Sequence, residues 1–311
     1  MARDDTHRAV LVAEVVEALR PRPGGRYVDA TCGWGGHAGA ILERIGPQGR
    51  LLAVDQDPRA VAAARERWRD DARVSVAHGC FSRLEELVET HGFAGGVQGI
   101  LLDLGVSSPQ LDDPQRGFSF LRDGPLDMRM DPGRGESAAD WLARVSEREL
   151  AQVIRRYGEE RYARAVARAV VRDRATAPLR RTGRLAEIVA AAVPTREPGK
   201  HPATRTFQAI RIFVNRELEE LEVCLPQAIA ALAPEGRLAV ISFHSLEDRI
   251  VKRFLRDQAR GDRFPPDLPV VYDRLSPTLS LVGRVRRPGA AEIGRNPRAR
   301  SAVLRVAERL S

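Results

Sequence analysis

Lysine is nearly absent from this chain: Lys200 and Lys252 are the only two in 311 residues. Cysteine is sparse as well, with Cys32, Cys80 and Cys224 far apart and no Cys-x-x-Cys pair among them. That spacing argues against a disulfide framework or a zinc site and fits a reducing compartment. Long apolar runs are missing too. Stretches such as Ile229 to Ala233 are far too short to span a bilayer. The first residues, Met1-Ala2-Arg3-Asp4-Asp5, have neither the basic start nor the apolar stretch of a signal peptide. The expected location is the cytosol, with no membrane partner and no metal.

What is present is arginine, unevenly placed. The net charge is +8, and between Arg144 and Arg184 twelve Arg stand against five acids. Between Arg284 and Arg309 eight Arg stand against two acids, so the remainder of the chain is net acidic. Such asymmetry points to a polyanionic partner, because each guanidinium can neutralise a phosphate and release its counterion. Solvated helix faces, and a genome that favours arginine codons, are the plainer explanation of the same residues.

Along the chain, short apolar runs alternate with helical spacing. Strands are predicted at Arg26–Ala30, Arg50–Val54, Val74–Ala77 and Gly99–Leu102, with helices over Ala38–Ile45, from Asp57-Pro58 to Trp68, and over Leu84–Thr90. Asp57 supplies an N-cap and Pro58 a first helical residue. This order implies an α/β fold with a mostly parallel sheet covered by helices on both faces. From Asp112 to Asp131 Gly, Pro and Asp indicate an ordered loop, and from Ala138 to Val193 the chain is helical and arginine-rich. A proline-rich joint at Pro194–Pro202 follows. Then come one long helix marked by Phe207, Ile210, Val214, Leu218 and Leu221, a strand at Leu238–Phe243, a helix at Leu246–Gln258 and a last strand at Ser301–Ala307. The expected organisation is a Rossmann-like domain formed by 1–110 and 203–311, interrupted by a helical insertion over 111–202.

Four strand ends carry the chemistry. The first strand and turn read Val28-Asp29-Ala30-Thr31-Cys32-Gly33-Trp34-Gly35-Gly36-His37. Asp29, Gly33 and Gly35 match an acid-x-Gly-x-Gly-x-Gly pattern in which Thr31 replaces the first glycine. Glycine permits positive φ, and the helix start that follows offers free N–H groups to an anion. Asp55 ends the second strand, 22 residues after Gly33, where a carboxylate can accept both ribose hydroxyls. Phe81, after the third strand, is either an adenine contact or a core aromatic. Asp103 ends the fourth strand and is followed by Leu104-Gly105-Val106-Ser107-Ser108-Pro109-Gln110. A nucleoside cofactor follows from these positions, but they do not choose between a nicotinamide dinucleotide and S-adenosylmethionine. An oxidoreductase on the same sheet and a non-catalytic RNA-binding protein remain the competing functions.

Longer strings identify a family. Gly35-Gly36-His37, the run from Ala53 to Pro58, the run from Gly99 to Asp112, Arg116-Gly117-Phe118-Ser119-Phe120 and Gly124 to Met130 closely resemble the bacterial 16S ribosomal RNA cytosine-N4 methyltransferases. So do Tyr157 to Arg161, His201 to Ala209, Ile241 to Arg249 and Asn296 to Ser301. The resemblance implies a Rossmann-like class I methyltransferase that uses S-adenosylmethionine. Its substrate would be a decoding-centre cytosine (position 1402 of the RNA), carried on 16S rRNA or the small ribosomal subunit. It also implies cofactor binding by Gly35, Gly36, His37, Asp55, Phe81, Asp103 and Gln110, with Asp103 catalytic, and substrate recognition by the inserted domain. His37 could instead cap the first helix, and His244 could contact RNA or support the turn after the fifth strand. Arg129, Arg205 and Arg211 are candidate phosphate contacts that could equally pair with local carboxylates such as Asp127 or Glu217. Asp127 and Asp131 raise the thought of a metal, although spaced loop carboxylates are more often turn formers.

Overall fold

The computed structural model describes residues 9–195, 199, 201–261 and 275–311. The chain divides into two compact units, one made of residues up to Gly105 together with Leu218–Ser311, the other spanning Val106–Glu217.

The first unit alternates helix and strand in the order α1 (Val12–Leu19), β1 (Arg26–Asp29), α2 (Gly36–Ile45), β2 (Arg50–Asp55), α3 (Pro58–Arg67), β3 (Val74–His78), α4 (Leu84–Thr90) and β4 (Val97–Asp103). Strands β1, β2 and β4 are buried almost without interruption, as strands covered on both faces must be. Asp57 caps α3 as its sequence predicts: its carboxylate accepts the Arg59 N–H at 2.9 Å, and Pro58 occupies the first turn.

The second unit is helical, with α5 (Ser108–Asp112), α6 (Ala138–Arg144), α7 (Glu147–Gly158), α8 (Ala163–Arg174), α9 (Thr182–Ala192) and α10 (Thr204–Asn215). Helix α7 packs against α8 and α10, and α8 against α9. Because α10 belongs to this cluster, the unit extends past the 111–202 interval expected of the insertion. The loop before α6 is tied down by one of its own residues and by the end of α10. Buried Arg116 donates to the carbonyls of Arg129 and Met130, and Asn215 donates to the Met128 carbonyl while accepting the Met130 N–H at 2.7 Å. The proline-rich joint at 194–202 lies partly outside the described residues.

The first unit resumes with α11 (Glu217–Ala231), β5 (Leu232–Ser242), α12 (Ser245–Arg260), β6 (Leu279–Leu281), α13 (Ala290–Arg295) and β7 (Val303–Arg309). The seven strands lie in the order β3-β2-β1-β4-β5-β7-β6. Pairings among the first five are parallel, whereas β7 runs antiparallel to both β5 and β6. The sheet is thus mixed but mostly parallel.

Three expectations needed correction. The single helix from Phe207 to Leu221 is two helices, α10 and α11, because Arg216 adopts a left-handed conformation (φ 51°) and its N–H closes the last turn of α10. The fifth strand starts earlier than Leu238. Val97 pairs with Leu232, but Gly99 pairs with Arg237, so a bulge around Glu235 (φ 61°) precedes the regular ladder. The last strand begins at Val303, since Pro297–Ser301 forms a 3-10 turn. Among the described residues no helix is long and apolar enough to cross a membrane.

Candidate active site

Parallel pairing brings the carboxyl ends of β1, β2 and β4 to one edge of the sheet. Asp29 pairs in register with Ala53 and Leu101, so Asp55 and Asp103 each lie two residues further along the flanking strands. Beyond Asp29 the chain stays bonded to both neighbours. The Ala30 N–H donates to Leu101 O at 3.0 Å, and the Cys32 N–H to Val54 O at 2.8 Å. Between them, Thr31 Oγ1 accepts the Asp103 N–H at 2.6 Å. The residue that departs from the glycine pattern therefore fastens the backbone of Asp103 to the tip of β1.

The glycine turn is fixed by Asp55. Its carboxylate accepts the Gly33 N–H at 2.7 Å and the Asp57 N–H at 2.8 Å, clamping the β1–α2 turn to the β2–α3 turn. Gly35 (φ 78°) is the residue before α2, and a Cβ at this position would overlap the Trp68 indole. At Gly36 a Cβ would come within 2.7 Å of Ala9 Cβ. Both glycines are thus demanded by the protein's own packing.

His37 is the second residue of α2 and is only 4% exposed. The residue preceding α2 is Gly35, so His37 does not cap the helix; its ring turns inward instead. Its Nε2 lies 3.4 Å from Asp103 Oδ2, close enough to pair charges but outside good hydrogen-bond alignment. Asp29 Oδ2, Asp103 Oδ1 and both ring nitrogens of His37 are buried without a hydrogen-bond partner among the described residues. Unmatched buried polar atoms are rare in folded proteins, and a catalytic or ligand-binding role is one physical reason for them.

The electrostatics follow from crowding acids into a dry corner. Burial pushes the Asp29 carboxyl up to about 7; His37 and the Thr31 N–H oppose this, while Asp103 and Asp55 add to it. Burial likewise raises Asp55 to about 6, against the hydrogen bonds from Asp57 and Gly33. For His37, burial disfavours the imidazolium, but Asp103, Asp29 and Glu292 outweigh it and the net shift is upward. Burial raises the Cys32 thiol well above its ordinary range, and Cys224 moves the same way. All three cysteines are buried, and Cys80 Sγ sits 3.5 Å from Gln56 Oε1.

The remaining candidates divide by their surroundings. Phe81 starts a short 3-10 turn after β3 and is half-buried against the core beneath it. Gln110 lies in the second unit, where it completes a capping box on α5: its side-chain oxygen accepts the Ser107 N–H at 2.9 Å. His244 resolves toward support of the turn. It is the N-cap of α12, its Nδ1 accepting from the Glu247 N–H, while Glu247 accepts the Phe243 and His244 N–H groups. Arg129 forms a two-pronged pair with Asp127 at 2.8 Å, as does Arg211 with Glu217. Arg205 donates to the Glu159 carbonyl at 2.8 Å. Asp131 accepts the Gly133 N–H at 2.8 Å, as a turn former does.

The sequence reading missed which arginines lack such partners. On α7 and α8, Arg148, Arg155, Arg164 and Arg172 are exposed and form no ion pair among the described residues. The usable signal was their spacing: Arg148 and Arg155 recur seven residues apart, and Arg164 and Arg172 eight apart, each pair on one helix face.

Relatives place this geometry in a family. Ribosomal RNA small subunit methyltransferase H of Thioalkalivibrio sulfidiphilus is 62% identical over 306 residues, covering 98% of each chain. The protein of the same name from Chromohalobacter salexigens is 58% identical, covering 99% of this chain and 93% of that one. An rRNA methylase structure from Streptococcus thermophilus aligns at 10% identity with a TM-score of 0.42, over 96% of this chain and 94% of that one, a likeness too distant to carry weight. The sequence model of the MraW methylase family matches residues 4–310. The chain belongs to the MraW methylase family.

Proposed function

We propose that this protein transfers a methyl group from S-adenosylmethionine to the exocyclic N4 of a cytosine in 16S ribosomal RNA, at position 1402. The observation that carries this reading is Asp103. Its backbone is pinned by Thr31, one carboxylate oxygen lies beside His37, and the other is buried with no hydrogen-bond partner among the described residues.

The donor set fits the cofactor. Asp29, Asp55 and Asp103 gather three carboxyl groups at the strand tips, whose ionisation a sulfonium cation would favour, and the first turn of α2 offers backbone N–H groups to a carboxylate. Gly35, Gly36 and His37 would line its methionine end, with Asp103. Asp55 would accept from its ribose and Phe81 would face its adenine. When bound, the cofactor supplies an electrophilic methyl group on sulfur.

The acceptor is a poor nucleophile, because the nitrogen lone pair of an exocyclic amine is delocalised into the ring. A carboxylate accepting its N–H hydrogen bonds draws that nitrogen toward tetrahedral geometry and aims the lone pair. Asp103 is the group on this edge suited to do so. Alignment of the two reactants can supply on the order of 7–11 kcal/mol. The base must be unpaired or flipped to reach such a crevice. No cysteine adduct is needed, and burial of Cys32, Cys80 and Cys224 agrees with that. Arg148, Arg155, Arg164 and Arg172, exposed and without an ion pair among the described residues, are the candidate phosphate contacts, which gives the helical unit a role in substrate recognition.

The test is methyl transfer from labelled cofactor to small-subunit particles from a strain lacking the enzyme. Cys80→Ala should keep substantial activity, and Asp103→Ala should lose most of it. A folded, cofactor-binding Cys80→Ala that is dead would refute direct transfer.

A further inference from the structure

Methylation of an amine produces a proton, and the site must dispose of it. As the bond from N4 to the methyl carbon forms, the carbon–sulfur bond breaks and its electron pair stays on sulfur. The nitrogen is left with a positive charge and a proton to shed. The Asp103 carboxylate is the acceptor at hand, and it is only partly open to solvent, with the buried His37 beside it.

We propose that His37 is the positioning partner of Asp103: through its 3.4 Å contact with Oδ2 it fixes that carboxylate and takes up, by way of it, the proton the amine loses. The inference rests on the methylation reading above.

A histidine serving only as core filler would have its ring nitrogens satisfied or would be replaced by an apolar side chain, since a buried polar group without a partner costs free energy. His37 is nine-tenths buried, does not cap α2 and has no hydrogen-bond partner at either nitrogen among the described residues. The charged groups facing it are Asp103 from β4, Asp29 from β1 and Glu292 from α13, all acidic. Glu292 is held in place by the Leu11 N–H, which donates to its Oε1 at 2.8 Å. The three acids favour the imidazolium against burial.

This arrangement times the proton transfer. A sulfonium cation bound beside the pair disfavours a second positive charge and keeps the imidazole neutral. Once the methyl group has moved, that cation is gone and the surrounding acids again favour protonation. With the neutral imidazole's own proton on Nδ1, the proton passes from N4 to an Asp103 oxygen, then to the lone pair of His37 Nε2, and is released to solvent after the product leaves.

The direct measurement is an NMR titration of isotopically labelled His37 in the intact protein. It is made without ligand, with S-adenosylmethionine and with S-adenosylhomocysteine. The pKa should be lower with the cationic ligand than with the neutral one; equal values would overturn the proposal. At saturating cofactor, His37→Asn should lower the single-turnover rate by about tenfold to a hundredfold (general acid–base contributions are typically 10²–10⁴-fold) and change the shape of the pH–rate profile. An unchanged rate and profile would likewise overturn it. If His37→Asn does not fold, the titration still decides. Because that titration needs only ligand binding, its failure leaves the identity of the methylated atom untouched, and product analysis tests that separately.

Discussion

Thr31 Oγ1 accepts the backbone N–H of Asp103 at 2.6 Å, tying the tip of β1 to the residue proposed to orient the substrate amine. Removing the acceptor leaves that N–H unmatched, at a cost on the order of 1–3 kcal/mol. Thr31→Val should therefore lower stability in denaturant unfolding and reduce the methyl-transfer rate, whereas Thr31→Ser should preserve both. A Val variant with unchanged stability and rate would show that the bond positions nothing.

Gly35 should be intolerant of a side chain for two separable reasons. Its left-handed conformation disfavours any L-residue by about 1–2 kcal/mol, and overlap with Trp68 adds roughly 1–3 kcal/mol of overpacking. The second part should vanish when Trp68 is truncated. Unfolding of wild type, Gly35→Ala, Trp68→Ala and the double variant forms a cycle in which Gly35→Ala costs less without the indole. Strict additivity would contradict the packing account.

The raised Asp29 carboxyl links stability to pH. In the folded state it holds its proton up to about 7, while an unfolded Asp loses it near 4. The folded state therefore binds more protons in between, and this contribution to stability falls as pH rises from about 4 to about 7. His37, also shifted upward, acts in the same direction. Asp29→Asn, which can still accept the Thr31 N–H, removes the Asp29 contribution. Relative to wild type it should gain stability steadily between pH 4 and 7, as followed by chemical denaturation. A difference that does not vary with pH would refute the assignment.

Binding to rRNA should be strongly salt-dependent, and the exposed arginines of α7 and α8 that form no ion pair among the described residues should carry that dependence. Arg155→Ala and Arg164→Ala should weaken binding and reduce the slope of log affinity against log salt by about 0.7–0.9 for each phosphate no longer neutralised. Arg211→Ala should act mainly on stability, because it strands Glu217, which is buried and doubly bonded to it. Filter binding over a salt series separates the two behaviours, and an unchanged slope for the α7 and α8 variants would remove those helices from the RNA interface.

Much of this was legible in the sequence where chemistry and periodicity coincide. Strands β1, β2 and β4 are covered on both faces, so they read as apolar runs, and each ends in an acid that the parallel register carries to one edge. Asp57-Pro58 announces α3 because its cap is local. Features fixed by distant partners were not legible. Nothing near Thr31 says that its hydroxyl bonds to Asp103, 72 residues away. The break at Arg216 carries neither Gly nor Pro, and β6 is three residues long, too short to show a period. His244 as an N-cap is similarly hidden, since Ser, Thr, Asp and Asn usually fill that position. Whether an arginine meets phosphate or a neighbouring carboxylate depends on which side chains the fold brings beside it, as Arg129 and Arg211 show.

The most direct test of the central claim is the chemical identity of the product. Small-subunit RNA methylated by the purified protein can be digested to nucleosides and resolved by mass spectrometry against synthetic standards. Asp103-directed transfer predicts that the label elutes as N4-methylcytidine and is lost with Asp103→Ala. Label in 5-methylcytidine, or N4-methylcytidine undiminished by Asp103→Ala, would contradict it.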